Sequence, residues 1–228
     1  MPDGTAALLI ALDDTSRGGS DDFAIFKGPR SSPTIIGAAT PVTMIGVQFR
    51  SGGAAPFLHV PVSELANAHA PLRDVGNGGV TTLRERLLCS DSADARLDFV
   101  EQWLTRQIAR QQTGVAAIDW AVGAIERWPH VRMRDLTARI GRSSRWFIQR
   151  FSEHVGLTPK VFSRIRRFHH AIERMHGDPD NDLADLAASL RYFDQPHFAH
   201  DFRAIAGMSP TAYLSARTAY PNHVALVD

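Results

Sequence analysis

The chain of 228 residues contains one cysteine, Cys89, which excludes an internal disulfide and indicates a reducing compartment. It has no apolar run near the roughly 18 residues that a membrane-spanning helix needs. The stretch AALLIAL, residues 6–12, is too short for a signal peptide and follows no basic segment. These absences predict a cytoplasmic protein that does not enter a membrane, and an apolar fraction of 44% is ordinary for a globular fold.

The sequence also lacks the patterns of common catalytic and metal sites. The segment SGGAAP, residues 51–56, has neither the lysine nor the spacing of a phosphate-binding loop. His59 and His69 have no cysteine or second histidine at metal-ligand spacing. Cys89 lies in a leucine-rich helical stretch, which favours packing over a nucleophilic role. We therefore predict that the protein is not an enzyme and has no catalytic residue, metal or cofactor. The alternative of an enzyme that acts on a nucleic-acid base is disfavoured for the same reason, because such an enzyme needs a nucleophile or a metal site.

The net charge of +1 conceals an uneven distribution. Residues 115–175 carry twelve basic and five acidic side chains, a net charge of +7. Residues 176–217 carry three basic and six acidic side chains, a net charge of −3. The basic segment favours a polyanionic partner, although a solvated helical surface accounts for the charge equally well.

The first half of the chain predicts strands followed by helices. Short runs rich in Ile, Val and Phe, separated by turn residues, are typical of a small barrel or sandwich: ALLIAL, FAIFKG, TIIGAA and VTMIGVQF. Residues 80–112 indicate helices, with apolar side chains at helical spacing: Leu97, Val100, Leu104 and Ile108. QQTG, residues 111–114, is the predicted linker, and the chain is expected to be helical from Val115 to about Arg217.

An internal repeat is the strongest signal in the sequence. Five positions of the first copy match five of the second with a constant offset of 51: Phe147, Phe151, Gly156, Pro159 and Phe162 match Phe198, Phe202, Gly207, Pro210 and Tyr213. The opening helices DLTARIG and DLAASLR are offset by 50, so the second turn is one residue longer. Two helices joined by a tight turn, in duplicate, predict a double helix-turn-helix.

Capping residues mark the ends of these helices. Gly156 and Gly207 follow a helix end, where a left-handed residue is favoured. Polar cap residues precede four helix starts, twice with a first-turn proline: Ser143 or Ser144, Thr158-Pro159, Asp194 and Ser209-Pro210.

The helix from Pro159 to about His176 is about 27 Å long. Successive major-groove segments lie about 34 Å apart. This helix can therefore place the second helix of each repeat copy, which we call the two reading helices, on adjacent turns of DNA.

Helical rotation separates the buried faces of the two reading helices from their outward faces. With Phe147 and Phe151 buried, Arg145 and Gln149 point outward, where arginine can read guanine and glutamine adenine. Ordinary polar surface explains the same pattern. The outward residues of the second reading helix are Gln195, Pro196, Ala199, His200 and Arg203. Arginines of the connecting helix are candidates for phosphate contacts: Arg164, Arg166 and Arg167.

The pattern resembles the AraC family of bacterial transcription regulators. The resemblance rests on LTARIGRSSRWFIQRFSEHVGLTPKVFSRIRRF and LADLAASLRYFDQPHFAHDFRAIAGMSPTAYL, and covers residues 116–217. It implies that the two reading helices enter consecutive major grooves of double-stranded DNA. The positions that it assigns to base contacts are Ser144, Arg145, Ile148, Gln149, Gln195, Pro196, Ala199 and His200. Arg164, Arg167 and Arg203 complete the predicted DNA-binding set.

The predicted fold class is α+β: a β-rich sensor-like and dimerisation domain with C-terminal helices over residues 1–112, then an all-α DNA-binding domain over residues 116–217. Residues 1–112 resemble, more weakly, the sensor domain of one branch of the family. There, PDG usually follows a further strand and loop, so the sheet is expected to be incomplete.

Arg191 stands where the family has a glycine, at a strain cost of about 1–2 kcal/mol if left-handed. Gln149 stands where it usually has arginine.

These observations predict an effector-responsive, sequence-specific DNA-binding transcription regulator. RNA polymerase, a small-molecule effector and a second copy of the chain are further candidate partners. The alternative is a ligand-binding or partner-binding module with a weakened DNA reader, to which Arg191 and the acidic second copy point. The first copy is expected to supply most of the non-specific affinity and salt dependence, because it and the connecting helix carry the net charge of +7. The second copy is expected to be a weaker discriminator, because Asp194 and Asp201 near its reading helix would repel phosphate.

Overall fold

The computed structural model describes residues 1–12, 23–35, 43–110, 116–178, 182–220 and 223–224. Within these ranges, four strands form one antiparallel sheet in the order β3-β1-β2-β4, with bounds Ala7–Ala11 (β1), Ala24–Lys27 (β2), Met44–Gln48 (β3) and His69–Pro71 (β4). Strand β1 pairs with both β2 and β3, and its Leu8 lies opposite Phe26 of β2 and Val47 of β3. The expectation of a barrel or sandwich was wrong for these strands, because β3 and β4 leave the sheet with two edges. TIIGAA falls mainly outside the described residues.

One face of the sheet is covered by helices. Two 3-10 helices, Ala55–Phe57 and Val62–Leu65, lead to α1 (Leu72–Val75), α2 (Val80–Leu88) and α3 (Ala93–Arg110). Alternation along β1 buries Leu8 and Ile10 together with Leu87 and Trp103 of these helices. Because successive strand residues point to opposite faces, Ala7 and Leu9 lie on the other face of the sheet.

The buried face of α3 differs from the predicted stripe. Val100 is buried, but Leu97 and Ile108 are 57% and 53% exposed. The helix instead buries Trp103, whose ring lies 6.1 Å from that of Phe57, and Gln107, whose amide nitrogen donates to the Gly78 carbonyl at 2.9 Å. The large indole therefore determines which face of α3 turns inward.

Cys89 follows the last residue of α2 and is exposed. The expectation that it packs in the interior was wrong. Its place at the helix end, beyond the last buried leucine of α2, accounts for the difference, since the helical pattern alone does not show where the helix stops.

The described residues from 116 onward form seven helices: α4 (Ala116–Arg127), α5 (Met133–Ile140), α6 (Ser144–Val155), α7 (Pro159–Gly177), α8 (Leu183–Ser189), α9 (Gln195–Ala206) and α10 (Pro210–Ala216). The predicted linker at residues 111–114 lies outside the described residues. Two apolar clusters form, one around Phe147, Phe151 and Phe162 and the other around Phe198, Phe202 and Tyr213. Helix α7 contributes to both clusters. Among the described helices, none is both long and apolar enough to cross a membrane.

The described residues up to 110, which we call the sheet region, contact the helical half at α4 and at the C-terminal end of α6. The Ser51 hydroxyl donates to a Glu126 carboxylate oxygen of α4 at 2.7 Å. A Cβ atom at Gly156, which follows α6, would lie 2.4 Å from Pro29 Cγ. The sheet region therefore packs closely on the C-terminal end of α6, and its contact requires a glycine there.

Candidate nucleic-acid interface

The first helix-turn-helix is formed by α5 and α6. Gly141 ends α5 in the left-handed conformation, at φ 69°. Ser143 precedes α6, and its hydroxyl accepts a hydrogen bond from the Trp146 amide at 3.3 Å. Phe147 and Phe151 are 1% and 0% exposed, with ring centroids 5.6 Å apart in an edge-on contact. The cap therefore sets the start of α6, and the aromatic pair sets which face of α6 turns inward.

The opposite face of α6 is accessible. Ser144, Arg145, Ile148 and Gln149 are all exposed. The Gln149 amide nitrogen donates to one Glu153 carboxylate oxygen at 2.9 Å, and Arg150 donates to the other at 3.1 Å. No hydrogen bond or ion pair engages the Arg145 side chain within the described ranges. Arg145 is thus available to a partner, whereas Gln149 is already oriented by Glu153.

The second helix-turn-helix is formed by α8 and α9. Arg191, in the turn between them, is left-handed at φ 58°, as its alignment with a glycine predicts. Asp194 caps α9 by accepting from the His197 amide at 2.7 Å. Phe198 and Phe202 are 0% and 1% exposed. The predicted caps and buried face of the second reading helix are therefore confirmed.

The outer face of α9 is more apolar than that of α6. Gln195, Pro196, His200 and Arg203 are exposed, and Ala199 is half-buried. Phe193, immediately before the capping residue Asp194, is 92% exposed. Sequence reasoning missed Phe193, and the available signal was an aromatic residue next to an N-cap and outside the buried positions of the repeat.

Helix α7 holds both reading helices. Its 19 residues give a length of about 28 Å. Near its start, the Phe162 ring lies 5.7 Å from that of Phe151 in α6. Further along, the Phe168 ring lies 4.9 Å from that of Phe202 in α9. The relative placement of the two reading helices is therefore determined by their contacts with one rigid element.

A polar cluster joins α7 to α9. The Asp201 side chain is 8% exposed, and one of its oxygens accepts from Arg164 Nε at 2.8 Å and Nη2 at 2.5 Å. The other oxygen accepts from the Tyr192 hydroxyl at 3.0 Å and lies 3.6 Å from Arg167 Nη2. The Arg167 guanidinium also lies 4.1 Å from the centre of the Tyr192 ring. We call Arg164, Arg167, Tyr192 and Asp201 the Asp201 cluster.

This cluster changes the electrostatic picture drawn from the sequence. Asp201 does not face outward, so the expectation that it repels phosphate was wrong. Arg164 and Arg167 have side chains 38% and 19% exposed, and both have Asp201 as a partner within the protein. Their contact with phosphate stays a prediction. Burial raises the pKa of Tyr192 above its ordinary value, so the phenol remains a hydrogen-bond donor.

Two helix-turn-helix units held on one long helix define the C-terminal half as a double helix-turn-helix domain. A helix-turn-helix domain family (HTH_18) matches residues 136–216, and a domain of unknown function (DUF6597) matches residues 1–71. The predicted helix-turn-helix domain is thereby confirmed over residues 136–216, and its residue pattern resembles that of the AraC family.

Two known proteins are similar to this chain over longer stretches. The uncharacterized HTH-type transcriptional regulator YidL of Escherichia coli strain K12 is 28% identical over 142 residues, which are 62% of this chain and 43% of that protein. The chain thus spans less than half the length of this relative. The crystal structure of an apo variant of ToxT from Vibrio cholerae shares 12% identity with a TM-score of 0.41, covering 92% of this chain and 85% of that one.

Proposed function

We propose that this chain is a sequence-specific DNA-binding transcription regulator whose helices α6 and α9 enter two consecutive major-groove segments. One observation carries the proposal: α6 and α9 each bury a phenylalanine pair and expose the opposite face, and both pack on α7. B-form DNA presents successive major-groove segments on one side about 34 Å apart, comparable to the length of α7.

The exposed side chains divide by the contacts that they can make. Arg145 and Gln149 of α6 and Gln195 and His200 of α9 carry polar groups suited to base edges. Ile148, Pro196 and Ala199 offer apolar contact, for example to a thymine methyl group, and Ser144 suits either a base or a phosphate. Arg203 is exposed without an internal partner in the described part of the chain, so it is the clearest candidate for a phosphate.

A cavity supports an effector-responsive regulator. It has a volume of about 840 Å³ and lies between the outer face of the sheet and the turn after α9. Leu9, Lys27 and Gln48 line it from the strands, and Gly207 and Met208 line it from that turn. A small molecule bound there would touch the sheet region and the second reader together, which is what coupling effector binding to DNA binding requires.

The exposed face of α3 supports a second copy of the chain as partner. Leu97 and Ile108 lie three turns apart on this face and are 57% and 53% exposed. Packing two such faces together would remove apolar area from water, at about 25 cal/mol per Å². RNA polymerase is the further partner expected of a transcription regulator.

The alternative function, a ligand-binding or partner-binding module with a weakened reader, has one observation in its favour. The second reader combines a strained Arg191 at φ 58° with apolar residues at two of its four predicted base-contact positions, Pro196 and Ala199. This combination predicts weak discrimination by α9 alone. It does not affect α6, which keeps Arg145 exposed.

Selection of bound sites from random double-stranded DNA tests the proposal. We expect two enriched blocks whose centres lie about one helical turn, roughly 10 base pairs, apart. Arg145→Ala provides the matched control, because it should relax the preference at one base pair of one block and leave the other block unchanged. A folded protein that enriches no sequence would contradict the proposal and favour the alternative module.

A further inference from the structure

The Asp201 cluster connects three separate segments at one carboxylate. Arg164 and Arg167 belong to α7, Tyr192 to the turn before α9, and Asp201 to α9 itself. Both oxygens of Asp201 accept hydrogen bonds, and the whole residue is 6% exposed. A carboxylate this deeply buried is stable only when it is paired, so its partners restrict where α9 can lie.

Apolar packing alone would restrict the orientation of α9 on α7 less than the Asp201 cluster does. The Phe168–Phe202 contact, at 4.9 Å between ring centroids, favours proximity, but it is compatible with several rotations of one helix against the other. Charge-assisted hydrogen bonds are short and directional, and the Arg164 guanidinium donates two of them to one oxygen. The cluster therefore selects one rotation and one height of α9 along α7.

The first copy of the repeat, whose residues are all described, has no buried carboxylate between its reading helix and α7, although His154 of α6 lies 2.9 Å from the exposed Asp119 of α4. The position that matches Asp201 at the repeat offset is Arg150, which is exposed and bonds to Glu153 within α6. Helix α6 is instead held at its C-terminal end by the sheet region, where a Cβ at Gly156 would lie 2.9 Å from Val62 Cγ1. The repeat alone thus does not predict how α9 is fixed.

We propose that Asp201 is a positioning residue that sets the orientation of α9 relative to α6, and thereby the spacing between the two DNA segments that the chain accepts. This inference rests on the proposed function. Asp201 itself touches no base, because it is buried beneath the reading face. Asp201 affects DNA binding indirectly, because the orientation of α9 determines where Gln195 and His200 lie.

The experiment uses the full chain and a site selected from random DNA by the native protein. The two blocks of the site are moved closer or further apart by one and two base pairs, and the affinity is measured for every spacing. For the native protein we expect a loss of about tenfold at the first displaced base pair, since base contacts in one block are misplaced. For Asp201→Asn we expect that loss to shrink to about twofold, with binding retained over a wider range of spacings.

Two further variants separate positioning from charge and from folding. Asp185→Asn removes the same charge from an exposed residue of α8, so it should shift affinity equally at all spacings. Tyr192→Phe keeps the Asp201 carboxylate and the aromatic packing but loses one hydrogen bond, and should give an intermediate spacing profile. If Asp201→Asn fails to fold, Tyr192→Phe decides the question.

A spacing profile for Asp201→Asn that runs parallel to the native profile, merely weaker at every spacing, would overturn the inference and leave Asp201 a residue of general stability. A native profile in Tyr192→Phe would do the same where Asp201→Asn is unfolded. If the native protein selects no site, the proposed function itself fails, and this inference fails with it.

Discussion

The Nε2 atom of His169 in α7 lies 2.7 Å from the backbone carbonyl oxygen of Pro2. His169 is 6% exposed, and it lies beside Phe168, which contacts the second reading helix. Gly4 packs nearby, since a Cβ there would lie 3.3 Å from Ile165 Cγ2. The first residues of the chain therefore lie against the helix that carries both readers, and His169 joins them to it by a hydrogen bond.

This bond leads to a pH prediction. Burial lowers the pKa of His169 below its ordinary value, and Arg166 acts in the same direction, while the bond to Pro2 and the charges of Asp3 and Glu173 oppose it. Because the unfolded chain binds the proton more readily, the stabilising contribution is complete above about pH 6.5 and decreases as the pH falls below it. We expect the free energy of unfolding to decrease between about pH 7 and pH 5.5.

Urea unfolding across this pH range checks the prediction. His169→Gln keeps a side-chain donor and should flatten the pH dependence, whereas His200→Gln, at an exposed position, should not. Some dependence will remain, because burial also lowers the pKa of His170 and of His130. An equally steep dependence in His169→Gln would contradict the assignment.

Two glycines at equivalent places in the repeat provide a matched stability test. Gly156 and Gly207 are both left-handed, at φ 92° and 76°, so alanine should strain either by about 1–2 kcal/mol. At Gly156 the added Cβ would lie 2.4 Å from Pro29 Cγ, whereas at Gly207 the nearest atom, Pro33 Cγ, is 3.7 Å away. We expect Gly156→Ala to cost about 1–3 kcal/mol more than Gly207→Ala. Equal losses of unfolding free energy would mean that the sheet region does not press against α6 in solution.

Arg191 allows the opposite change. Its φ of 58° places a non-glycine residue in the left-handed region. Arg191→Gly should raise the stability, because relief of about 1–2 kcal/mol of strain exceeds the entropic cost of glycine, about 0.5–1 kcal/mol. Arg191→Ala removes the charge but retains Cβ, so it should leave the melting temperature near the native value. A similar increase in both variants would assign the gain to the lost charge instead of the backbone.

The sequence predicted the features whose causes are local. Ser143 and Asp194 cap helices by accepting hydrogen bonds from backbone amides three residues further along the chain. Arg191 adopts the left-handed conformation expected at a place in the turn where the resembling family has a glycine. Features that depend on distant residues could not be predicted. Arg164 and Asp201 are 37 positions apart, and their pairing requires α7 to meet α9 at one particular height. Asp201 therefore looked like a surface charge.

The same limit applies to surfaces. Helical spacing placed Leu97 and Ile108 on the buried face of α3, but the position of the Trp103 ring against Phe57 turned them outward. Phe193 gave no periodic signal, since it lies in a turn. The exposure of Leu97 and Ile108 depends on how a neighbouring large ring packs, and the exposure of Phe193 depends on a turn. Periodicity of apolar residues predicts neither ring packing nor turn structure.

Arg145 allows a direct test of base reading by α6. It is exposed and unpaired in the described residues, whereas Arg150 on the same helix bonds to Glu153 at 3.1 Å. Arg145→Ala should relax the preference at one base pair by about 1–3 kcal/mol, because a bidentate contact is lost. Arg150→Ala, the matched control, should leave the preference intact. Equal losses on specific and random DNA for Arg145→Ala would show a contact with the backbone only.

The last prediction concerns the two kinds of arginine near the second reader. Arg203 is exposed and has no side-chain partner in the described chain, whereas Arg164 donates two hydrogen bonds to Asp201. Each neutralised phosphate contributes about 0.9 to the slope of log affinity against log salt concentration. Arg203→Ala should therefore flatten this slope by about one unit and leave the melting temperature unchanged.

Arg164→Ala should show the reverse behaviour. It removes the main partner of a buried carboxylate, so we expect a lower melting temperature and a loss of about 3 kcal/mol or more of unfolding free energy. The salt slope should change less than in Arg203→Ala, because the charge of Arg164 is already compensated by Asp201 within the protein. A salt slope that falls by a full unit in Arg164→Ala, with the melting temperature unchanged, would mean that Arg164 leaves Asp201 when DNA binds and contacts a phosphate instead.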